Sequence, residues 1–394
     1  MIKKNSLTPV SLKTKANWKN NCITSIKDLI DSDRDGFCKV TKEGKISWKS
    51  GLVKCLNDEQ IKLPAWFGQD ISYPGLSIIL LNNAFTYRQN CIIADYKSVL
   101  RGEVWSSDYC LVEESLLHRD AHKLRSKGAV SKMRKEAKFK KGVHIYLGWI
   151  APHYGHFLME GLSRMWPFII TDIDTVNIKH VAHSRNDVRT IKKLGNSFVW
   201  DAYHRLGIEL AEIYEIDEPI IFEKLLVPTP SFRLGRNFYS TPVQNKVWTA
   251  IRGESSLKAD KKVYLSRRKY LSTGIPKRPI SNELEIEHFF LRNDFDIVYP
   301  ETLAFEEQLK LYGHCSVIAG PSGSNMHNSA FMPDNSKVLI ITPTSFCVKA
   351  DYMINVHKNI ETNYFFVNVK DVTYRSQHFW TVDIEQLETC LEKM

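Results

Sequence analysis

Two stretches of the chain alternate short apolar runs with amphipathic, helix-like patterns. Between residues 76 and 227 the runs fall at 76–81, 91–94, 109–112, 143–150, 180–182 and 220–227, the rhythm of βαβ units. A second alternation starts near residue 261, with strands expected at 262–266, 296–299, 316–319, 338–341 and 365–369. Its helices are expected at 282–292, 305–313, 324–331 and 384–392. Between the two lies 228–242, where Pro228, Pro230, Gly235 and Pro242 read as a crossing between domains. The pattern therefore predicts an α/β fold of two Rossmann-like domains, over 76–235 and 236–394, facing each other across a cleft. Residues 1–75 are polar and irregular and read as an unassigned N-terminal addition.

Composition adds direction. The chain has 394 residues, enough for two cores, and 54 Lys+Arg against 44 Asp+Glu leave a net charge of +10, which favours an anionic partner. Its longest apolar runs are far shorter than the roughly 20 residues needed to span a bilayer. The start Met-Ile-Lys-Lys-Asn-Ser has no apolar core behind it, so neither anchor nor export signal is expected. Cysteines 22, 38, 55, 91, 110, 315, 347 and 390 contain no Cys-x-x-Cys pair, which points to reduced thiols in the cytoplasm rather than a zinc knuckle or disulfide framework.

Several motifs resemble sites but lack a necessary part. Asp31, Asp33, Asp35 and Gly36 imitate the start of a calcium loop, yet Lys42 occupies the position that needs a bidentate carboxylate. His118 and His122 lie one helical turn apart without the Glu of a zinc-protease helix. Asp172-Ile-Asp174 and Asp294-Phe-Asp296 are three-residue matches too short to carry an argument. No metal site is expected. Residues 123–141 hold nine Lys or Arg and one acid, Glu136, which suits a solvated face, a peripheral contact with an anionic membrane, or a dock for an acidic acceptor. Few aromatics interleave these charges, so nucleic acid is disfavoured.

Three segments carry candidate chemistry. Residues 315–333 read as a buried strand, a turn through Gly320, Pro321, Ser322 and Gly323, and a short helix from Ser324 stopped by Pro333. Unpartnered N–H groups at such a turn suit a phosphate, although the same pattern also serves as plain scaffolding. His153 and His156 follow the strand 143–150, and regular helical spacing would align His156, Glu160 and Arg164 on one polar stripe. That stripe is either a Glu160–Arg164 pair on an exposed edge or a catalytic face with His156 as base and Glu160 as its support. Strand 262–266 ends in Arg267, Arg268 and Lys269, at the end of an open α/β sheet where ligands bind.

Taken in order, Tyr-Leu-Ser-Arg-Arg (264–268), Arg278, Asn282-Glu283, Pro300-Glu301, Phe305, Glu307-Gln308, Gly-Pro-Ser-Gly-Ser (320–324), Asn328 and Phe-Met-Pro (331–333) resemble glycosyltransferase family 61 over roughly 143–341. The His156 segment is similar to that family's His-aromatic-Leu helix. The resemblance implies a GT-B architecture, an inverting mechanism, a nucleotide-sugar donor bound mainly by the second domain, and a role in capsule or surface polysaccharide synthesis. His156 and Glu160 are then the catalytic pair, with Arg267, Arg268, Gly320, Ser322, Gly323, Ser324, Asn325 and Asn328 at the donor diphosphate. Glu301 or Glu307 would take the ribose, with His153, Arg164, Arg278, Asn282, Glu283 and His327 in support. Ser322 stands where the family carries a histidine, in Gly-x-His-Gly, and His327 lies a turn away. No cofactor is expected, because arginines and backbone N–H groups can neutralise the diphosphate without a metal. The expected partners are a nucleotide-sugar donor and a glycan or lipid-linked glycan acceptor. A nucleotide-sugar epimerase or hydrolase on the same scaffold, or a non-catalytic glycan- or lipid-binding protein, are the alternative readings.

Overall fold

The computed structural model describes residues 12–13, 22–49, 51–57, 63–86, 104–105, 111–112, 134–150, 153–173, 177–184, 197–234, 238–253, 259–271, 277–369 and 377–394. The chain divides into two compact units, one of residues 1–44 and 72–247 and one of residues 45–71 and 248–394. The stretch 1–75 is therefore shared between the units, and the second unit closes on residues from the N-terminal part of the chain. Among the described residues no helix is long and apolar enough to cross a membrane.

The first unit is built on a mixed sheet. Its main strands are β1 (Ser77–Thr86), β2 (Lys138–Ile150), β3 (Lys179–Ser184), β4 (Tyr214–Glu215) and β5 (Ile220–Pro228), in the order β1-β5-β2-β3-β4. β5, β2, β3 and β4 run parallel, and β1 lies antiparallel to β5. Continuous burial of 78–81 and 144–150 explains why these strands read as unbroken apolar runs rather than alternating ones. From β2 the chain steps outward through β3 and β4, then returns to the other side of β2 as β5. The reversal lies between β2 and β5, and the carboxyl ends of strands flanking a reversal are where open α/β sheets leave a crevice.

The described parts of the expected crossing, 228–234 and 238–242, are packed into this unit. Thr229, Ser231, Ser240 and Thr241 are buried, and Ser231 N–H donates to the Ser163 carbonyl at 2.8 Å. Short pieces Phe232–Arg233 and Tyr239–Ser240 pair antiparallel, which uses the backbone groups that a free linker would leave to water.

The second unit holds a six-stranded, all-parallel sheet. Its strands are β6 (Lys261–Leu265), β7 (Asp296–Val298), β8 (Cys315–Pro321), β9 (Lys337–Pro343) and β10 (Glu361–Val367), in the order β7-β6-β8-β9-β10, with Val53–Cys55 added beside β10. This is the doubly wound 2-1-3-4-5 order, whose reversal falls between β6 and β8. Helices α1 (Glu283–Arg292), α2 (Phe305–Gly313), α3 (Lys349–Asn355) and α4 (Ile384–Leu391) belong to the same unit. α2 starts where Glu307 accepts the Ala304 N–H at 2.8 Å and buries Phe305, Leu309 and Tyr312, one per turn. α1 buries Ile286, Phe289 and Phe290 in a core with Tyr264, Ala319, Leu339 and Phe365. The architecture is α/β, as the alternating pattern predicted, but the first unit's sheet is mixed because β1 joins it antiparallel.

Candidate active site

In the first unit, β2 ends at Ile150 and the chain turns into residues 154–161 beside the β2/β5 reversal. The regular helix expected there does not form. A short α-turn, Tyr154–His156, passes into a π-helix, Phe157–Gly161, closed by a Leu162 N–H to Phe157 carbonyl bond of 2.9 Å. The wider pitch keeps His156 and Glu160 together, with Nδ1 to Oε2 at 2.7 Å, but rotates Arg164 away from them. Glu160 is buried while His156 keeps about a third of its side chain exposed, so a fixed carboxylate holds a reachable imidazole. Trp149 and His153 flank the ring at 6.3 and 5.1 Å between centroids.

Arg164 is fully buried and donates to the Pro228 carbonyl, and Trp166 Nε1 donates to the Thr229 carbonyl at 2.7 Å. These bonds tie the turn after β2 to the end of β5. The expected three-residue polar stripe is thus a pair, His156 and Glu160, with Arg164 spent on architecture.

In the second unit, the β6/β8 reversal brings the Ser-Arg-Arg turn beside the glycine turn. Gly320 is required by close approach, because a Cβ there would lie 2.9 Å from Met326 Sδ and 3.1 Å from the Leu265 carbonyl oxygen. Gly323 has φ +156°, and a Cβ would meet Asn325 Oδ1 at 3.0 Å and Arg278 Nη2 at 3.4 Å, which puts a guanidinium against the turn. Arg278, itself at φ +55°, is 6% exposed and lies 4.3 Å over the Phe346 ring.

Arg267 is 8% exposed, and its guanidinium donates to the Lys277 carbonyl at 2.9 Å. Among the described residues it forms no ion pair with a carboxylate. Burial lowers its pKa, while the charges of Glu283 and Glu301 work the other way. Arg267 thus presents a largely desolvated cation at the end of a switch-point strand.

Arg268 differs. It is half exposed and clamped by Glu287 at 2.9–3.0 Å and by the Tyr299 hydroxyl at 2.8 Å. Hydrogen bonding to Glu287 raises its pKa further. Glu283 accepts the Arg267 N–H at 2.6 Å, Ser266 donates to Glu287 at 2.6 Å, and burial raises the Glu283 carboxyl above its usual range. Burial opposes ionisation of Glu287, but bonds from Arg268, Ser266 and Tyr299 hold it below that range. Glu283 and Glu287 therefore fix the Ser-Arg-Arg turn. Sequence reading named Glu283 and missed Glu287 and Tyr299; the signal for Glu287 was its place one helical turn after Glu283.

The remaining expected residues divide by what occupies them. Ser322 donates its N–H to the Ile341 carbonyl at 2.9 Å and accepts from the Thr342 hydroxyl at 3.0 Å. The segment after it forms a 3₁₀ turn, Met326–Phe331, in place of the expected α-helix from Ser324. Asn325 donates to the Pro321 carbonyl at 3.1 Å, and Asn328 donates to the Tyr312 hydroxyl at 3.2 Å, so both brace the turn. Asn282 bonds both backbone groups of Val382 at 2.8 and 3.0 Å, and Glu307 caps α2. Glu301 is exposed on the 3₁₀ turn Pro300–Thr302, near enough to Arg267 to act on its charge. Ser324 is half-buried and His153 is exposed. His118, His122 and residues 123–133 of the basic run lie outside the described residues.

Residues 154–339 match the family described as Glycosyltransferase 61. This stretch is a glycosyltransferase family 61 region. The family 61 region begins two residues before His156 and runs through the Ser-Arg-Arg turn, α1 and the glycine turn into β9, so it contains the His156–Glu160 pair, Arg267, Arg278 and Gly323. Family 61 implies a glycosyltransferase, with a sugar donor and a glycan acceptor as substrates. No curated protein matches the chain.

Proposed function

We propose that the protein is an inverting, GT-B-type glycosyltransferase that moves a sugar from a nucleoside-diphosphate donor to a glycan hydroxyl in surface polysaccharide synthesis. The observation that carries the donor half is Arg267, a buried guanidinium without a carboxylate partner among the described residues, at the β6/β8 reversal. A cation held there gains most from an anion that arrives with the substrate, and a guanidinium matches two phosphate oxygens at once. Arg278 adds a second guanidinium at Gly323.

On the acceptor side, Glu160 accepts the Nδ1–H of His156, which leaves Nε2 as the basic nitrogen. As the acceptor oxygen attacks the anomeric carbon, His156 Nε2 takes its proton. The bond from that carbon to the diphosphate breaks and its electron pair leaves with the phosphate. One displacement from the face opposite the leaving group inverts the anomeric centre. The imidazolium is stabilised by Glu160 and the departing charge by Arg267 and Arg278.

The described end of the basic run supports a peripheral contact with an anionic membrane. Phe139 is half exposed between Lys138 and Lys140 on β2.

A thermal-shift screen of nucleoside diphosphates and nucleotide sugars, followed by turnover of the best donor with His156→Ala, tests the reading. One donor class should stabilise the chain, and the substitution should cut turnover by about 100-fold or more. Turnover surviving within a few-fold removes His156 as the base, and product formed without any acceptor turns the reading towards a hydrolase or epimerase.

A further inference from the structure

Beside the glycine turn lies a titratable pair with no part in the displacement assigned to His156. His327, on the 3₁₀ turn Met326–Phe331, brings Nδ1 within 2.7 Å of Asp351 Oδ1 on α3. The two side chains are 6% and 1% exposed. The turn and the helix follow β8 and β9, adjacent parallel strands, so the pair sits on the same carboxyl edge of the sheet as Gly323 and Arg267. Asp351 lies beyond the matched stretch 154–339.

A link that only joined the turn to α3 would not need a carboxylate. Asp351 Oδ2 is buried with no hydrogen-bond partner among the described residues, an unmet acceptor that a neutral pair would avoid. What the carboxylate adds is orientation and charge. It accepts the Nδ1–H and fixes the ring, which leaves Nε2 as the atom that can meet a ligand. Ser322, a hydroxyl of the same turn, already accepts from Thr342.

Resting on the donor reading above, we propose that His327, positioned by Asp351, is a further cationic contact to the donor diphosphate, donating Nε2–H to a phosphoryl oxygen. Asp351 is the positioning residue. The contact forms on binding and strengthens as the sugar leaves, because negative charge then gathers on the phosphate.

Calorimetric titration of the full chain with inorganic pyrophosphate tests this, together with His327→Gln, Asp351→Asn and Arg267→Gln. His327→Gln keeps a neutral donor and removes the charge, so pyrophosphate affinity should fall about 10-fold or more, and Asp351→Asn should weaken it severalfold. A ring-nitrogen NMR spectrum of the wild type supplies a readout that a purely structural pair would not move. The signals absent from the His327→Gln spectrum, or assigned by labelling if that variant does not fold, should shift at saturating pyrophosphate. Unchanged affinity in His327→Gln, or an unmoved His327 signal, overturns the proposal. If Arg267→Gln loses binding while His327→Gln keeps it, the donor reading stands and this inference fails. If the wild type binds no pyrophosphate, the donor reading fails and this one with it.

Discussion

Replacing Arg267 with methionine should raise stability while destroying donor binding. Methionine approximates the volume of the arginine stem, so packing around the 8% exposed side chain is largely kept. The substitution removes one charged hydrogen bond, to the Lys277 carbonyl at 2.9 Å, worth about 1.5–3 kcal/mol. Against that stands a cation held out of water with no ion pair among the described residues, a cost of several kcal/mol per ion. Glu283 repays part of that cost through its charge, and its contact with the Arg267 backbone N–H survives the substitution. The balance favours the variant by about 1–2 kcal/mol, and a unit of this size gains ~2–4 °C in melting temperature per kcal/mol. On the ligand side, two charge-assisted bonds to phosphate oxygens disappear, about 3 kcal/mol or more, or roughly 150-fold in affinity. Scanning fluorimetry of the ligand-free chain and titration with the stabilising nucleoside diphosphate measure both signs. A variant that melts lower than wild type and binds the diphosphate equally well would refute the reasoning, because Arg267 would then be structural.

Three further outcomes follow from the same geometry. Glu160→Gln keeps the contact to His156 Nδ1 but removes the charge that stabilises the imidazolium, so kcat should drop about 10- to 100-fold with little change in the donor KM; steady-state kinetics read both. Gly323→Ala pushes a Cβ to 3.0 Å from Asn325 Oδ1 at φ +156°, and should cost about 1–3 kcal/mol of stability, measured by urea unfolding, and weaken diphosphate binding. Lys358 is buried, bonds the Ala330 and Met332 carbonyls behind the glycine turn, and has its pKa pushed down to about 7, first by burial and then by Arg252. The unfolded chain therefore binds more protons than the folded one above pH 7, and stability should rise with pH between about 7 and 8.5, below the range where free thiols ionise. Urea titrations across that window should show the rise in wild type and lose it in Lys358→Met; equal slopes in the two chains would remove Lys358 as the cause.

Some of this was legible because it is local. Each strand of the second unit's sheet from β6 to β10 was announced by its own apolar run, and α2 matched its periodic span of 305–313, because burial on both faces and one-per-turn burial leave marks within a few residues. The glycine turn was legible for the same reason, since close approach to Leu265 and Met326 admits no side chain at Gly320. The pairing of His156 with Glu160 was also visible, at four residues' spacing.

What the tertiary structure decided is which of those residues remain available for chemistry. Arg164 has the helical spacing of a third member of the His156–Glu160 stripe, yet the π-helix turns it into the core, where it donates to the Pro228 carbonyl. Arg267 and Arg268 are neighbours of one type, but Glu287, nineteen positions on, binds the second, while the first forms no ion pair with a carboxylate among the described residues. The order β7-β6-β8 places the Ser-Arg-Arg turn beside the glycine turn, and Val53–Cys55 completes a sheet formed otherwise by the last third of the chain. His327 likewise meets a carboxylate only because α3 delivers Asp351. The sequence by itself determined the periodic elements, the tight turns and the candidate groups, since these rest on residue size, burial and charge within a few positions. Which groups pair depends on contacts between distant segments, and only the packed sheets settle that.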